Sequence, residues 1–92
     1  MAETAQLVFV DDEPNILKAL QRVFFEDDYE IETFTSGREA LDYIKENDVQ
    51  LIISDQRMPE MTGTQLFNEV VKVKSETKRI ILTGFADMGA AV

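Results

Sequence analysis

The sequence has 92 residues, enough for one small domain with a single core. Its 18 acidic and 9 basic residues give a formal net charge of −9, so we expect neither nucleic acid nor a membrane as a direct partner. Cysteine and histidine are both absent, which excludes a disulfide framework and a zinc site built on them, and MAETAQ is no signal peptide, so we expect a cytoplasmic protein.

The first predicted unit is a strand followed by a helix. The run LVFV, residues 7–10, is entirely apolar, which indicates a strand buried on both faces of a parallel sheet. Pro14 suits the first turn of the helix that follows. Apolar residues then recur at three- and four-residue spacing, and they are Ile16, Leu17, Leu20, Val23 and Phe24. We expect this helix to end at Asp27 and Asp28.

The second unit repeats this order. EIETF, residues 30–34, alternates polar and apolar residues, which predicts a strand near a sheet edge with one wetter face. Ser36 and Glu39 have the spacing of a capping box, and the helix that they begin is expected to end near Asn47.

A third apolar run, LII at residues 51–53, leads into the loop SDQRMPEMTG. In this loop Pro59 fixes φ, and Gly63 is expected to permit a positive φ. Thr62 and Gln65 predict a second capping box, which begins the third helix.

The segment RIIL forms a fourth predicted strand, and FADMGAAV resembles the beginning of another helix. Alternating strands and helices predict right-handed crossovers and a parallel sheet between helices. The fold class is therefore α/β. If the first and third strands are neighbours, the sheet has the flavodoxin-like order 2-1-3-4.

Polar residues follow these strands where an open α/β sheet binds its ligands. They are Asp11 and Asp12 after the first strand, Asp55 after the third and Thr83 after the fourth. Adjacent carboxylates repel unless a cation or protons intervene, and an oxygen pocket without histidine or cysteine favours Mg²⁺. Two other interpretations remain open: the first two acids and Glu13 stabilise a helix N-terminus, and Thr83 bonds to nearby backbone.

The motifs VFVDDEP, LIISDQRMPEMTG and IILTGFAD resemble those of two-component response-regulator receiver domains, and the resemblance covers essentially all 92 residues. It implies that Asp55 accepts a phosphoryl group from a sensor histidine kinase as an acyl phosphate. Thr83 would be the switch hydroxyl that contacts the phosphoryl group, and Gly84 would leave room for that group.

The same resemblance implies a metal site. Asp12, Asp55 and the backbone carbonyl of Arg57 would bind Mg²⁺, with Asp11 acting through water. Arg57 and Phe85 match two positions that adjust the access of hydrolytic water. The protein would then be no turnover enzyme, and its only chemistry would be Mg²⁺-dependent self-phosphorylation and dephosphorylation at Asp55.

The resemblance also predicts a receiver domain over residues 1–92 that lacks the family's fifth βα unit, its phosphate-pairing lysine and an output domain or effector. Lys72, Lys74 and Lys78 lie in or just after the third helix and cannot replace that lysine. We expect slow phosphoryl transfer. We also expect a homodimer or strand-swapped assembly through the exposed edge of the fourth strand.

Two functions of other classes compete with the phosphoacceptor. A haloacid-dehalogenase-type phosphatase also uses an aspartate nucleophile with Mg²⁺, but it prefers an aspartate as general acid two residues later, where this sequence has Arg57. A phosphorylation-independent interaction module would keep the acids only as a charged rim.

Overall fold

The computed structural model describes residues 4–82, which form a four-stranded parallel sheet and three helices. The strands are β1 (Ala5–Val10), β2 (Tyr29–Phe34), β3 (Leu51–Asp55) and β4 (Lys78–Leu82), and the helices are α1 (Pro14–Val23), α2 (Gly37–Glu46) and α3 (Gly63–Val73). Their order in the sheet is β2-β1-β3-β4, with every pair parallel. The predicted flavodoxin-like class and strand order are confirmed.

Side chains alternate along β1 and enter two different cores. Val8 and Val10 pack under α2 and α3, whereas Leu7 and Phe9 pack under α1. All four are nearly or completely buried, so β1 is covered on both faces as its apolar run predicts. This burial fixes the strand that leads into Asp11.

Helix α1 ends earlier than predicted. Its last residue is Val23, and the chain then turns, with the N–H of Phe25 donating to the Arg22 carbonyl at 3.3 Å. Phe24 continues the apolar stripe but packs from outside the helix, its ring centroid 5.6 Å from that of Phe9. The predicted stripe is correct for buried Leu17 and for the partly buried Leu20 and Phe24. It is wrong for Ile16 and Val23, which are 41% and 70% exposed, and local backbone bonding sets the helix end.

Two predicted caps are present at helix N-termini. The structure shows one of the two hydrogen bonds of the predicted Ser36–Glu39 capping box, in which the hydroxyl of Ser36 accepts from the backbone N–H of Glu39 at 3.3 Å. Thr62 and Gln65 form a complete capping box: the Gln65 N–H donates to the Thr62 hydroxyl at 3.1 Å, and the Thr62 N–H donates to the Gln65 side chain at 2.9 Å. The capping box fixes the residue at which α3 begins.

The described helices are short. α1 and α2 have 10 residues each and α3 has 11, whereas about 20 apolar residues span a bilayer. Within residues 4–82, no helix has the length and apolar character needed to cross a membrane.

Candidate functional site

Three carboxylates meet at the carboxyl edge of two neighbouring strands. Asp11 and Asp12 follow β1 directly, and Asp55 is the last residue of β3, which pairs with β1. One carboxylate oxygen from each residue lies within 4.8 Å of the other two. The structure therefore brings together the three acidic side chains predicted as metal ligands.

Asp11 is the most buried of the three acids, with only 8% of its surface exposed. Burial raises the pKa of its carboxyl group, a hydrogen bond from the Glu13 N–H lowers it, and the charges of Asp55 and Asp12 raise it further. That hydrogen bond, 2.9 Å from the backbone N–H of Glu13 to Oδ1, is outweighed. This single donor thus leaves the negative charge of Asp11 incompletely compensated.

This donor set fits Mg²⁺. It offers oxygen ligands alone, and Mg²⁺ is usually held by one or two carboxylates together with waters and phosphate oxygens. Asp12 is exposed and Asp55 half-buried, so both are accessible, whereas buried Asp11 already accepts a hydrogen bond. The arrangement suits direct ligation of Mg²⁺ by Asp12 and Asp55 and a supporting role for Asp11.

The loop after β3 borders the acids. An open depression of about 570 Å³ separates this loop from the end of β1. Its lining residues are Asp12, Gln56, Arg57, Met58, Pro59 and Thr62. Arg57 therefore borders the same depression as Asp12, and Met58 anchors the loop because its side chain is buried in the core under α2 and α3.

Gln56 fastens this loop to α3, a role that the sequence reasoning did not identify. Its backbone carbonyl accepts from the Gly63 N–H at 3.1 Å, and its side-chain Oε1 accepts from the N–H and hydroxyl of Thr64, both at 2.9 Å. The available signal was the helix start itself, because first-turn N–H groups need acceptors and the predicted capping box supplies only two.

The predicted reason for Gly63 is wrong. No glycine in residues 4–82 has a positive φ. A methyl group at Gly63 would lie 2.6 Å from the carbonyl oxygen of Asp55 and 2.5 Å from Cδ1 of Ile81. Glycine is required here because the start of α3 lies directly against the end of β3.

The backbone of Asp55 is held from its own strand as well. Ser54 is completely buried, and its hydroxyl donates to the Asp55 carbonyl at 2.9 Å. The polar side chain is tolerated in the core because it has this partner. Like Gln56, Ser54 was missed, since a serine within an apolar strand gives no sign of its partner.

The three lysines in or just after the third helix lie away from the cluster of Asp11, Asp12 and Asp55. Lys72 pairs with Glu69 at 3.0 Å, Lys74 pairs with Asp48 at 3.3 Å, and Lys78 begins β4 at the opposite end of the strands from Asp55. This placement confirms that none of them can serve a phosphoryl group on Asp55.

The remaining predicted site residues follow β4. Thr83, Gly84 and Phe85 lie outside the described residues 4–82. Their predicted contacts with a phosphoryl group, and with hydrolytic water, stay predictions.

Comparison with known proteins gives a consistent result. Residues 7–92 match the family model of the response regulator receiver domain. The chain is 42% identical over 88 residues to the transcriptional regulatory protein GlrR of Escherichia coli K12. The aligned region covers 96% of this chain and 20% of GlrR. The chain thus spans about a fifth of that curated relative.

Solved structures agree with the sequence match. The response regulator TrrA of Thermotoga maritima, in complex with Mg²⁺-BeF, is 34% identical with a TM-score of 0.84, covering 97% of this chain and 77% of that one. A chain in the complex of histidine kinase ThkA with TrrA is 36% identical with a TM-score of 0.82. The match covers 89% of this chain and 71% of the chain in that complex.

Proposed function

The chain belongs to the response regulator receiver domain family of bacterial two-component signalling, and from this premise we propose that Asp55 is its phosphoacceptor. Receiver domains are signalling modules rather than turnover enzymes, and phosphorylation is inherent to the family. The observation that supports Asp55 is its convergence with Asp11 and Asp12, whose carboxylate oxygens approach within 4.8 Å at one edge of the sheet.

In the proposed reaction, a carboxylate oxygen of Asp55 attacks the phosphorus of a phosphohistidine. An O–P bond forms as the N–P bond breaks, its electron pair returns to the imidazole nitrogen, and Asp55 becomes an acyl phosphate. Water later attacks the phosphorus and restores the carboxylate with release of inorganic phosphate.

Asp12, Asp55 and the backbone carbonyl of Arg57 would hold Mg²⁺, with Asp11 acting through water. When bound, Mg²⁺ neutralises the charge on the phosphoryl oxygens. Thr83 would then donate its hydroxyl to a phosphoryl oxygen, and Gly84 would leave space beside that oxygen. These roles extend the family resemblance to individual residues of this chain.

We further propose a sensor histidine kinase as the phosphoryl donor and an output domain or separate effector as the receiver of the signal. The first is supported by the related chain solved with a histidine kinase, and the second by relatives that are whole regulators several times longer. The chain's formal charge of −9 predicts that a kinase surface in contact with it is basic.

The expected homodimer concerns the outer edge of β4. Within residues 4–82 this strand pairs only with β3, and Ile80 and Leu82 are 44% and 42% exposed. An unpaired apolar edge favours pairing with a second copy. Light scattering over micromolar concentrations tests this proposal, and a constant monomer mass would contradict it.

The phosphoacceptor is tested with phosphoramidate, which carries the same N–P bond as phosphohistidine. With Mg²⁺, intact-mass spectrometry is expected to show the addition of one phosphoryl group to the wild type and none to Asp55→Asn. Asp42→Asn, which removes an exposed carboxylate on α2, is the matched control and keeps the label. A wild type that neither takes the label nor responds to Mg²⁺ by NMR would favour the phosphorylation-independent interaction module.

A further inference from the structure

The segment from Asp55 to Thr62, called the phosphoacceptor loop below, connects β3 to α3. Gln56 lies between the two residues of this loop that contribute to the proposed site. Asp55 on one side offers its carboxylate, and Arg57 on the other offers its backbone carbonyl. The Gln56 carbonyl belongs to the planar peptide unit that joins Gln56 to Arg57, so a hydrogen bond to this carbonyl fixes the orientation of that unit. The bonds that hold Gln56 therefore act on the segment that connects these two oxygen ligands.

Both carbonyl oxygens of Gln56 accept hydrogen bonds from the first turn of α3. The backbone oxygen accepts from the Gly63 N–H at 3.1 Å, and Oε1 accepts from the Thr64 N–H at 2.9 Å and from the Thr64 hydroxyl at 2.9 Å. A backbone N–H can only donate, so the oxygen of the amide, and not its nitrogen, must face Thr64. The side chain is thus oriented by the chemistry of its partner.

The N-terminus of α3 has four N–H groups with no partner inside the helix. Gln56 accepts from Gly63 and Thr64, and the capping box of Thr62 and Gln65 supplies acceptors for its own two N–H groups. Half of the helix cap therefore comes from the phosphoacceptor loop. The other half comes from the helix itself.

We propose that Gln56 is a positioning residue for the site. By fastening the phosphoacceptor loop to α3, it keeps the Asp55 carboxylate and the Arg57 carbonyl at the spacing that Mg²⁺ and a phosphoryl group require. Gly63 lies so close to the Asp55 carbonyl that a shift of the start of α3 also moves the end of β3. The inference rests on the proposed function of Asp55.

Two methionine variants of the full chain separate positioning from simple helix capping. Gln56→Met removes an acceptor for the N-terminus of α3 and keeps the length of the side chain. Gln65→Met, the matched control, removes an acceptor of the same cap from the exposed, helix-borne half. We expect Gln56→Met to weaken Mg²⁺ binding about tenfold, as loss of a group that supports metal ligands does. Gln65→Met is expected to bind Mg²⁺ nearly as the wild type does.

Mg²⁺ affinity is read from the NMR shifts of the Asp12 and Asp55 amides, and labelling by phosphoramidate is followed in parallel. The labelling rate of Gln56→Met is expected to fall at low Mg²⁺ and to recover as Mg²⁺ is raised, a split that a purely structural defect would not produce. Gln56→Glu keeps an acceptor for Thr64, so it is expected to restore slow hydrogen exchange of the Thr64 amide and part of the labelling rate.

The outcomes are distinguishable. Equal loss of Mg²⁺ affinity in both methionine variants, or wild-type affinity in Gln56→Met while Asp55→Asn abolishes labelling, would overturn the positioning role and leave the phosphoacceptor intact. A wild-type chain that neither binds Mg²⁺ nor takes a phosphoryl group would overturn the proposed function, and the positioning role with it.

Discussion

The two faces of the sheet are covered unequally. Among residues 4–82, the core under α2 and α3 contains ten buried side chains, whereas the core under α1 contains four. Exposed apolar residues occur on both faces: Ile16 and Val23 of α1 are 41% and 70% exposed, and Val71 and Val73 of α3 are each 44% exposed. Within the described part of the chain, one helix packs on this face and two helices pack on the opposite face.

The acidic site connects these two halves. Asp55 ends β3, and its loop is fastened to α3, which belongs to the densely packed face. Asp11 and Asp12 lead into α1, which belongs to the thinly covered face. A cation shared by these carboxylates would therefore link the dense half to the thin half, and its binding would stabilise the half that has fewer contacts of its own.

The largest effect is expected when two adjacent isoleucines of β3, one in each core, are truncated and their losses of stability are compared. Ile52 faces α2 and α3 and is fully buried, whereas Ile53 faces α1 and is 8% exposed. We expect Ile52→Ala to lower the free energy of unfolding by about 4 kcal/mol and Ile53→Ala by about 2 kcal/mol, because a looser site relaxes into the cavity. Urea unfolding followed by circular dichroism measures both, and equal losses would refute the inequality.

A smaller effect is expected from metal binding. Mg²⁺ at about one hundred times its dissociation constant is expected to raise the free energy of unfolding by about 2.7 kcal/mol. Asp12→Asn is expected to abolish most of this gain, whereas Asp48→Asn, at the amino end of β3, keeps it. Hydrogen exchange should slow more in α1 than in α3. An equal slowing in both helices would break the proposed link between the halves.

The pH dependence of Asp11→Asn is a third test. The folded state raises the pKa of Asp11, mainly through burial, so ionisation of this carboxyl group destabilises the fold as pH rises through that pKa. Asn keeps an oxygen acceptor for the Glu13 N–H and carries no charge. We expect the variant to be more stable than the wild type at pH 7 without metal, with the gain vanishing near pH 4, about the unfolded pKa.

Thermal unfolding between pH 4 and pH 7 measures this difference. Asp42→Asn removes an exposed acid on α2 and serves as the control, with little expected change in stability. Saturating Mg²⁺ should reduce the advantage of Asp11→Asn, because the cation then offsets the buried charge. A gain that is independent of pH would argue against ionisation as its cause.

The smallest effect is expected at the end of α1. Phe25 is 84% exposed, so Phe25→Ser should change the free energy of unfolding by no more than about 0.5 kcal/mol. The adjacent Phe24 packs against Phe9 and Tyr29, and Phe24→Ser should lower stability several times more. Equally small effects of the two substitutions would show that the contacts of Phe24 add little to the core under α1.

Much of the fold and the three acids of the site could be predicted because their sequence signals are local. The apolar run at residues 7–10, the caps at Ser36 and Thr62, and the acids at strand ends each depend on neighbouring residues only. The end of α1 was predicted too late, because Phe24 keeps the helical periodicity while its backbone already turns. Periodicity reports which side chains share one face of a helix. It does not report which of them are buried, since Val23 is 70% exposed, or which backbone bonds continue.

The sequence by itself determined the strands and helices, the acids at the carboxyl edge and the family resemblance, since side-chain periodicity and motif spacing are properties of the chain alone. Only the tertiary structure decided that Gln56 supplies half of the α3 cap, that Gly63 is needed for close contact with Asp55, and that the two faces are unequally packed. The physical reason is that hydrogen-bond partners, close approaches and burial depend on residues distant along the chain, whose positions are set only when the helices pack on the sheet.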